Sequence, residues 1–260
     1  MKIASNGSSR FYSDRPEPWQ MDRLTDIGSR KIFIDDHDIL RESVRKFWNS
    51  VSQEDKIRWE TQGYVDKEFW KEVGAQGLIG VETPEDKGGW GGDFLSNTVG
   101  MEEQIYAHVP GLYNLQSDLV MPYIAHYGTD EQVARYGTKL RDGELIGAIA
   151  MTEPGGGSDL QGIRTNAVRD GDDWILNGSK VFISSGWNAD VVIVVAITDK
   201  NVEKQAYGIS LFLVDTHLAG FKRGKLLKKI GMHSQDTAEL FFEDMRLPAD
   251  ALLGYYSLLI

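Results

Sequence analysis

The chain changes character within one stretch, Ala148-Ile149-Ala150-Met151-Thr152-Glu153-Pro154-Gly155-Gly156-Gly157-Ser158-Asp159-Leu160. Its apolar start predicts a buried strand, and the glycines after Pro154 predict a tight turn. Three consecutive glycines leave the backbone bare and permit positive φ, so the turn can present its N–H groups to an anion. Their spacing matches neither the dinucleotide fingerprint nor a Walker loop. A plain turn between two strands is the alternative interpretation.

Upstream of this stretch the hydrophobic pattern is helical. Asp35 or Asp36 can cap a first helix, in which apolar residues recur at helical spacing as far as Trp48. The glycine-rich segment 86–93 lacks the Lys-Ser/Thr pair of a Walker motif, so we interpret it as a structural loop. Residues 24–142 are therefore predicted to form a helical domain. The further helices are predicted at about 54–62, 66–76, 92–108, 112–127 and 129–141, with Asp66 as the cap of the second of these and Gly77 at its end.

Downstream of residue 142 short runs rich in Val, Ile and Phe predict strands. Residues 191–196 do not alternate, which predicts a strand buried on both faces, and Asn177-Gly178 predicts a hairpin turn. Because no long helix intervenes, residues 143–250 are predicted to form an antiparallel β-sandwich or barrel, and the fold class is α+β. The strands are predicted at 145–151, 165–169, 174–176, 181–184, 191–197, 209–214 and 239–242.

The strand after the predicted hairpin carries an aromatic residue and a hydroxyl. Period-2 alternation would place Phe182 and Ser184 on one face of the sheet. An aromatic side chain beside a hydroxyl donor can stack on a flat ligand and hydrogen-bond its ring heteroatom. Core packing of Phe182 is the alternative, because aromatic residues on strands commonly belong to the core.

Composition argues against several classes of protein. The 260 residues carry a net charge of -11 with no long basic run, which argues against a nucleic-acid binder. Cysteine is absent, and none of the five histidines forms a His-x-x-x-His pair, so no metal site is expected. No apolar run reaches the roughly 18 residues of an integral membrane segment. A basic cluster at 222–229 is interpreted as a solvated face, with a phosphate-bearing ligand or a partner as the alternative.

The two ends of the chain carry expectations of their own. Residues 1–23 begin with a basic, serine-rich stretch that has no acid before Asp14, which predicts a mitochondrial transit peptide or an unstructured tail. Residues 247–254 look like a connector, and only the apolar segment 255–260 follows. An apolar tail without a partner predicts that further structure belongs there.

Taken in order, these motifs resemble the acyl-CoA dehydrogenase family. Residues 150–162 resemble the first signature of the family, 174–184 resemble the strand beside its flavin, and 229–248 are similar to the end of its β domain. Residues 24–28 and 190–197 are most similar to the mitochondrial long-chain subgroup. The likeness covers the chain from about Leu24 to Gly254.

The resemblance implies an FAD site. Phe182 takes the place of the aromatic residue packed against the isoalloxazine, and Ser184 takes the place of the hydroxyl residue that bonds the flavin near N5. Ser158 should also reach the acyl-CoA, and Gly156 stands where the family often has Ala. The resemblance places these residues on FAD: Ile149, Ala150, Met151, Thr152, Glu153, Pro154, Gly155, Gly156, Gly157, Ser158, Phe182, Ile183 and Ser184.

The resemblance also implies a reaction and its partners. The reaction is FAD-dependent α,β-dehydrogenation of long-chain fatty acyl-CoA to trans-2-enoyl-CoA in mitochondrial β-oxidation, which takes place in the matrix. Electron-transfer flavoprotein is the acceptor in the family, and the full-length family forms homotetramers.

In the family a C-terminal four-helix bundle supplies the base glutamate. Residues 251–260 are expected to be the truncated start of that bundle, so the chain alone is expected to have little or no activity. None of Glu153, Glu239 and Glu243 is assigned as the base. A non-catalytic isoform or gene-model fragment, acting at most as a flavin- or CoA-binding or interaction module, is one alternative. An acyl-CoA oxidase, which passes electrons to oxygen, is another.

Overall fold

The computed structural model describes residues 30–111 and 113–254. The predictions for a transit peptide, for the 24–28 motif and for the apolar segment 255–260 lie outside the described residues. Within the described ranges, no helix is both long and apolar enough to cross a bilayer. A helical domain followed by a β domain is confirmed as the architecture.

The helical domain contains every helix that the hydrophobic pattern predicts. The run predicted at 112–127 is helical from residue 113 to residue 127 and has one π-helical turn, Gln116–Val120, in its middle. Gly77 follows α3 with φ of 73°, the left-handed conformation expected of a residue that ends a helix. The helices are α1 Asp35–Ser50, α2 Gln53–Gln62, α3 Lys67–Ala75, α4 Phe94–Tyr106, α5 Tyr113–Leu115, α6 Met121–Tyr127 and α7 Asp130–Arg141.

Two predicted helix caps differ from the structure in their chemistry. The N-cap of α1 is Ile34, whose N–H donates to Nδ1 of His37 at 3.1 Å, so neither Asp35 nor Asp36 is the cap residue. Asp66 is the N-cap of α3, as predicted, but its side chain makes no capping hydrogen bond. Its carboxylate accepts hydrogen bonds from the α2 side, including one of 2.9 Å from Trp59 Nε1.

A buried charge network joins α1 to α4. Arg41 is 2% exposed and donates to Glu102 and Glu103, each at 2.8 Å. Arg45 donates to both carboxylate oxygens of Glu103, at 2.8 and 2.9 Å. Arg30 holds Glu102 with both terminal nitrogens, at 2.7 and 2.5 Å. Three guanidinium groups therefore share two carboxylates at this helix contact.

The β domain is one eight-stranded sheet in the order β6-β7-β3-β2-β4-β5-β8, with β1 paired to β4. Two of the strands, β6 and β8, are absent from the sequence-based prediction, and β7 is longer than predicted. The strands are β1 Gly147–Ala150, β2 Asn166–Asp170, β3 Asp173–Ile183, β4 Val191–Ile197, β5 Ile209–Asp215, β6 Phe221–Leu226, β7 Ala238–Leu247 and β8 Leu252–Leu253.

The sheet is mixed, so the prediction of purely antiparallel pairing is wrong in two places. β1 pairs with β4 in parallel from Gly147↔Val191 to Ala150↔Val194, and β2 meets β4 in parallel at Asn166↔Ile197. Parallel pairing requires a long crossover connection. Residues 151–190, which include β2 and β3, provide that crossover between β1 and β4.

The predicted hairpin at Asn177-Gly178 is also wrong, because β3 runs through both residues without a break. Gly178 has φ of 150° and lies at a register shift between β3 and β7. A Cβ at this position would lie 2.3 Å from Oγ1 of Thr165. The glycine therefore permits a close approach of two strands at a bulge, which is the other common use of glycine in a strand.

β4 separates two hydrophobic cores and is buried along its whole length, which confirms the prediction for residues 191–196. Val191, Ile193 and Val195 pack into a core shared with the helices. Val192 and Val194 pack into a second core, which also contains Trp174, Leu176 and Phe242 from β3 and β7. The sheet therefore curves round to enclose the second core.

Polar contacts fix the helical domain against the sheet. Gln116 is fully buried, and its amide nitrogen donates to the carbonyls of Leu140 (2.6 Å) and Leu145 (3.1 Å), while its amide oxygen accepts from Gly147 N–H at 2.7 Å. Lys67 of α3 forms an ion pair of 2.5 Å with Asp190, immediately before β4. These contacts set where β1 and its following loop begin.

Candidate functional site

The glycine-rich loop leaves the end of β1 and crosses β3. Val181 N–H of β3 donates to the Thr152 carbonyl at 2.9 Å, which fastens the loop at its start. Glu153 and Gly156 exchange backbone hydrogen bonds of 2.9 and 3.1 Å, which close the turn. Ala150 is buried and Ile149, Met151 and Thr152 are half-buried, whereas Pro154, Gly155, Gly157 and Ser158 are exposed.

The three glycines do not use the conformational freedom that the sequence suggests, since none of them has a positive φ. Close packing does not explain Gly155, where a Cβ would meet nothing within 4 Å, whereas a Cβ at Gly156 would lie 3.1 Å from the Asp159 carbonyl oxygen. Within the described part of the chain, the N–H groups of Gly155, Gly157 and Ser158 donate no hydrogen bond. The loop therefore presents bare backbone and free donors to its surroundings.

A buried ion pair lies beneath the loop, and the sequence-based reasoning missed its lysine. Lys180 of β3 is 1% exposed, and its Nζ donates to Glu153 at 2.8 Å and to the Met151 carbonyl at 2.9 Å. Glu153 is 8% exposed and also accepts the N–H groups of Arg164 (2.7 Å) and Thr165 (3.0 Å). The sequence does carry a signal for the burial of Lys180, because it is an even number of residues from Trp174 and Leu176 and strand alternation places all three side chains on the buried face of β3.

Each side chain of the pair favours the charged form of the other. Burial alone would raise the pKa of the Glu153 carboxyl, but the hydrogen bonds from Lys180 and from residues 164–165 lower the pKa below its usual value. Burial lowers the pKa of Lys180, and Glu153 opposes that effect. The Glu153 carboxylate is therefore held by three donors of the fold, which are Lys180 Nζ and the N–H groups of Arg164 and Thr165.

Phe182 and Ser184 follow this ion pair directly but do not lie on a regular strand. Phe182 has φ of 60°, and β3 ends at Ile183, so Ser184 belongs to the following turn and simple alternation does not apply. Phe182 is 66% exposed, which excludes the core-packing interpretation. Ile183 is buried, and Ser185 also has φ of 60°. An aromatic side chain and a half-buried hydroxyl thus lie at the end of β3.

An open cleft of about 420 Å³ borders the loop. Its lining includes Glu153, Pro154 and Gly155 of the loop together with the segments 164–166 and 177–179. The cleft is therefore shared by the sequence-predicted loop and the middle of β3, and Phe182 and Ser184 do not line it. It gives the loop a solvent-accessible face on which a ligand could lie.

Two other candidate features have simpler outcomes. Among residues 30–111 and 113–254, no three His, Asp or Glu side chains are grouped as metal ligands. Within the basic cluster, Lys222 pairs with Glu243, Arg223 donates to the Ala189 carbonyl at 2.6 Å, and Lys229 donates to the Gln235 carbonyl. Much of this cluster therefore stabilises the fold.

Comparison with known families agrees with the order of these elements. Residues 34–144 match the acyl-CoA dehydrogenase N-terminal domain, and residues 148–245 match the acyl-CoA dehydrogenase middle domain. The chain belongs to the acyl-CoA dehydrogenase family. The helices α1 to α7 lie within the first of these domains, and the glycine-rich loop and Phe182 lie within the second.

Individual acyl-CoA dehydrogenases match over most of this chain. The mitochondrial long-chain specific acyl-CoA dehydrogenase of Mus musculus is 57% identical over 233 residues, which are 89% of this chain and 54% of the mouse protein. The chain thus spans about half the length of the curated relatives it matches. Among solved structures, the acyl-CoA dehydrogenase of Geobacillus kaustophilus is similar with a TM-score of 0.82 and 42% identity, covering 86% of this chain and 60% of that one.

A flavin-loaded family member is also similar. A glutaryl-CoA dehydrogenase of Mycobacterium smegmatis, solved in complex with FADH2, matches with a TM-score of 0.77 and 32% identity. The match covers 86% of this chain and 56% of that one. At these identities the likeness extends beyond the fold to the family.

Proposed function

We propose that this chain provides one side of the FAD site of an enzyme that dehydrogenates long-chain fatty acyl-CoA to trans-2-enoyl-CoA. The observation that carries the proposal is the bare glycine loop fastened beside the exposed aromatic residue Phe182. Long-chain substrates are supported by the 57% identity to the long-chain specific mouse enzyme. FAD is supported by the similar structure in complex with FADH2.

The chemistry of the described residues fits a flavin nucleotide. The free N–H groups of Gly155, Gly157 and Ser158 suit phosphate oxygens, which accept hydrogen bonds from bare backbone. The exposed ring of Phe182 suits a planar ring system, and the Ser184 hydroxyl can donate to a ring nitrogen. A Cβ on Gly155 would project into open space, which leaves room for close approach of a ligand.

In this proposal the protein positions the substrate and the cofactor, and the cofactor carries the redox chemistry. The chemistry that FAD supplies when bound is acceptance of the β hydride of the acyl chain. Loop residues 149–158 bind the nucleotide, and Ser158 reaches towards the acyl-CoA. Phe182 and Ser184 orient the flavin ring, and Ile183 anchors both of them because it is buried between them.

The α proton of the substrate needs a carboxylate base within hydrogen-bond reach. The described carboxylates that lie in the family motifs are already engaged. Glu153 pairs with Lys180, Glu239 accepts the Lys225 N–H at 3.2 Å, and Glu243 pairs with Lys222. We therefore assign the base to none of the three.

The partners and compartment follow from the same family membership. We propose electron-transfer flavoprotein as the acceptor of the electrons, the mitochondrial matrix as the compartment and a homotetramer as the assembly of the whole enzyme. The mitochondrial name of the mouse relative supports the compartment.

Titration of the purified chain with FAD, followed by quenching of flavin fluorescence, tests the proposed site. We expect saturable binding with a dissociation constant of about 1 μM or tighter. Phe182→Ala should weaken it by about fivefold, because stacking on an aromatic ring contributes about 1 kcal/mol. Phe241→Ala, which removes another exposed aromatic residue, is the matched control and should change binding less than about twofold. Equal effects of the two substitutions would reject the site.

The substrate class is tested with a long-chain and a short-chain acyl-CoA and an artificial electron acceptor. The whole enzyme should reduce the acceptor faster with the long-chain thioester. Formation of peroxide in place of reduced acceptor would indicate an oxidase. Faster reduction of the acceptor with the short-chain thioester would contradict the long-chain assignment.

A further inference from the structure

The two parts of the proposed FAD site are far apart in sequence, and one ion pair joins them. The first part is the loop 149–158, and the second is the segment 182–184. Lys180 lies two residues before Phe182, and its Nζ donates to Met151 and Glu153 at the start of the loop, at 2.9 and 2.8 Å. A single ammonium group therefore connects the end of β3 to the beginning of the loop.

The Glu153 carboxylate holds the other end of the loop. It accepts the N–H groups of Arg164 at 2.7 Å and Thr165 at 3.0 Å, just before β2 begins at Asn166. The Glu153 side chain, which lies at the entry of the glycine-rich loop, thus holds the backbone at the exit of the loop, 11 and 12 residues later in the sequence. Glycines between these two points resist bending poorly, so the shape of the loop depends on what fixes its ends.

Water cannot easily replace either partner of this pair, because both side chains are almost fully buried. Removal of one partner would leave an isolated buried charge, which costs several kcal/mol unless the local structure rearranges. The structure that can rearrange is the exposed loop and the short segment after Lys180. Those are the two parts on which flavin binding depends.

We propose that Lys180 and Glu153 are positioning residues that fix the glycine loop against the Phe182–Ser184 segment and so set the affinity and ring environment of the flavin. The inference rests on the proposed FAD site. Both side chains act through the backbone they hold, and neither is assigned a contact with the flavin or the substrate.

Three variants test the pair. Lys180→Met keeps the length of the side chain and removes its charge. Glu153→Gln keeps one oxygen, which can accept the N–H group of residue 164 or of residue 165 but not both, because these groups donate to different oxygens of Glu153. The double variant has neither charge, and neutral replacement of a whole buried pair is commonly tolerated by a fold. The control is Lys222→Met with Glu243→Gln, an exposed ion pair between β6 and β7.

The readouts are the FAD dissociation constant and the visible absorption spectrum of bound flavin, measured where circular dichroism shows a folded protein. Each single variant should weaken FAD binding by about tenfold or more and alter the spectrum of the bound flavin. The double variant should raise the dissociation constant by less than the product of the two single-variant factors, because the two residues act as one unit. The control should stay within about twofold of the parent chain.

A merely structural role predicts a different result. It would lower the unfolding temperature but leave the dissociation constant and the flavin spectrum of the folded fraction unchanged, and that outcome overturns the proposal. Failure of all three variants to fold would also overturn it, since the pair would then be required for folding itself.

The inference can be separated from the proposed function. Failure of the parent chain to bind FAD would reject the function, and the pair is then tested in the apo protein by hydrogen exchange. Positioning predicts faster exchange in both 152–158 and 181–185 for Lys180→Met, with no change in these segments for the control variant. Equal exchange in the parent and in Lys180→Met would refute the positioning role.

Discussion

The charge network between α1 and α4 predicts which single charge, when removed, destabilises the helical domain most. The network contains Arg30, Arg41 and Arg45 on one side and Glu102 and Glu103 on the other. Replacement of Arg41 with Met leaves two complete pairs, Arg30 with Glu102 and Arg45 with Glu103. Replacement of Glu103 with Gln leaves three guanidinium groups around one carboxylate, and the central one, Arg41, is 2% exposed.

The expected losses in the free energy of unfolding follow from the number of buried charges that each substitution leaves unpaired. Glu103→Gln should lower the free energy of unfolding by about 3 kcal/mol, the lower end of the range for a broken buried pair, because Arg41 keeps Glu102. Arg41→Met should cost only about 1 kcal/mol, since it loses a cation–π contact with Phe33 but leaves no unpaired buried charge. Glu243→Gln in the exposed pair with Lys222 should cost less than about 0.5 kcal/mol.

Urea unfolding of the three variants at neutral pH, followed by circular dichroism, measures these differences. The dependence on pH supplies a second check. Burial would raise the pKa of Glu103, but the hydrogen bonds from Arg45 and Arg41 lower it overall. Its contribution is therefore present above the unfolded pKa of about 4.3 and is lost as the pH falls through the lower folded pKa. A cost for Arg41→Met equal to or above that for Glu103→Gln would refute the reasoning.

Three further predictions concern the β domain. Asp236 is 5% exposed, and burial raises its pKa to about 6. Its negative charge therefore destabilises the fold increasingly as the pH rises from about 4 to about 6, and by a constant amount at higher pH. Asp236→Asn should raise the free energy of unfolding by about 2 to 3 kcal/mol at pH 8 and by almost nothing at pH 4, and a gain independent of pH would contradict this cause. Gly178→Ala should cost about 2 kcal/mol or more in urea unfolding, because its Cβ would lie 2.3 Å from Oγ1 of Thr165. Gly155→Ala, with nothing within 4 Å, should change stability by less than about 0.5 kcal/mol while weakening FAD binding, and equal stability losses at the two glycines would disprove the packing argument. Phe182→Gly should stabilise the apo protein by up to about 1 kcal/mol, since it relieves a φ of 60°, and should weaken FAD binding; a loss of thermal stability would argue against strain at Phe182.

Local pattern predicted the helical domain well because each helix carries its own signals. The spacing of apolar residues located α1 to α7, and Gly77 marked the end of α3. Local pattern did not predict which side chains form the capping hydrogen bonds. His37 caps the Ile34 N–H although an acidic residue stands at each of the next two positions, because the ring is also held by Asp93 at 3.1 Å, 56 residues away.

The errors in the β domain have a common physical origin in long-range pairing. Asn177-Gly178 satisfies the rule for a hairpin turn, but the partner that decides the role of Gly178 is Thr165, which lies outside any local window. The parallel pairing of β1 with β4 likewise depends on contacts more than 40 residues apart, from Gly147 to Val191. The non-alternating pattern of β4 was informative because burial on both faces is written into the strand itself.

In the candidate site, too, local motifs could be predicted from the sequence and long-range contacts could not. The family motifs identified the loop and the Phe182 segment, and the structure lays the loop along β3 up to Val181. Assignment of FAD contacts to these residues stays a prediction. The Lys180–Glu153 pair escaped notice because two residues 27 positions apart have no local pattern in common.

The buried amide of Gln116 has a consequence for how the protein unfolds. Its three hydrogen bonds reach the end of α7, the segment before β1 and β1 itself. If either domain opened alone, a buried amide and its backbone partners would lose bonds that water could not replace without entering the shared core. We therefore expect the helices and the sheet to unfold together, so that the domain boundary visible in the chain does not separate two units of unfolding.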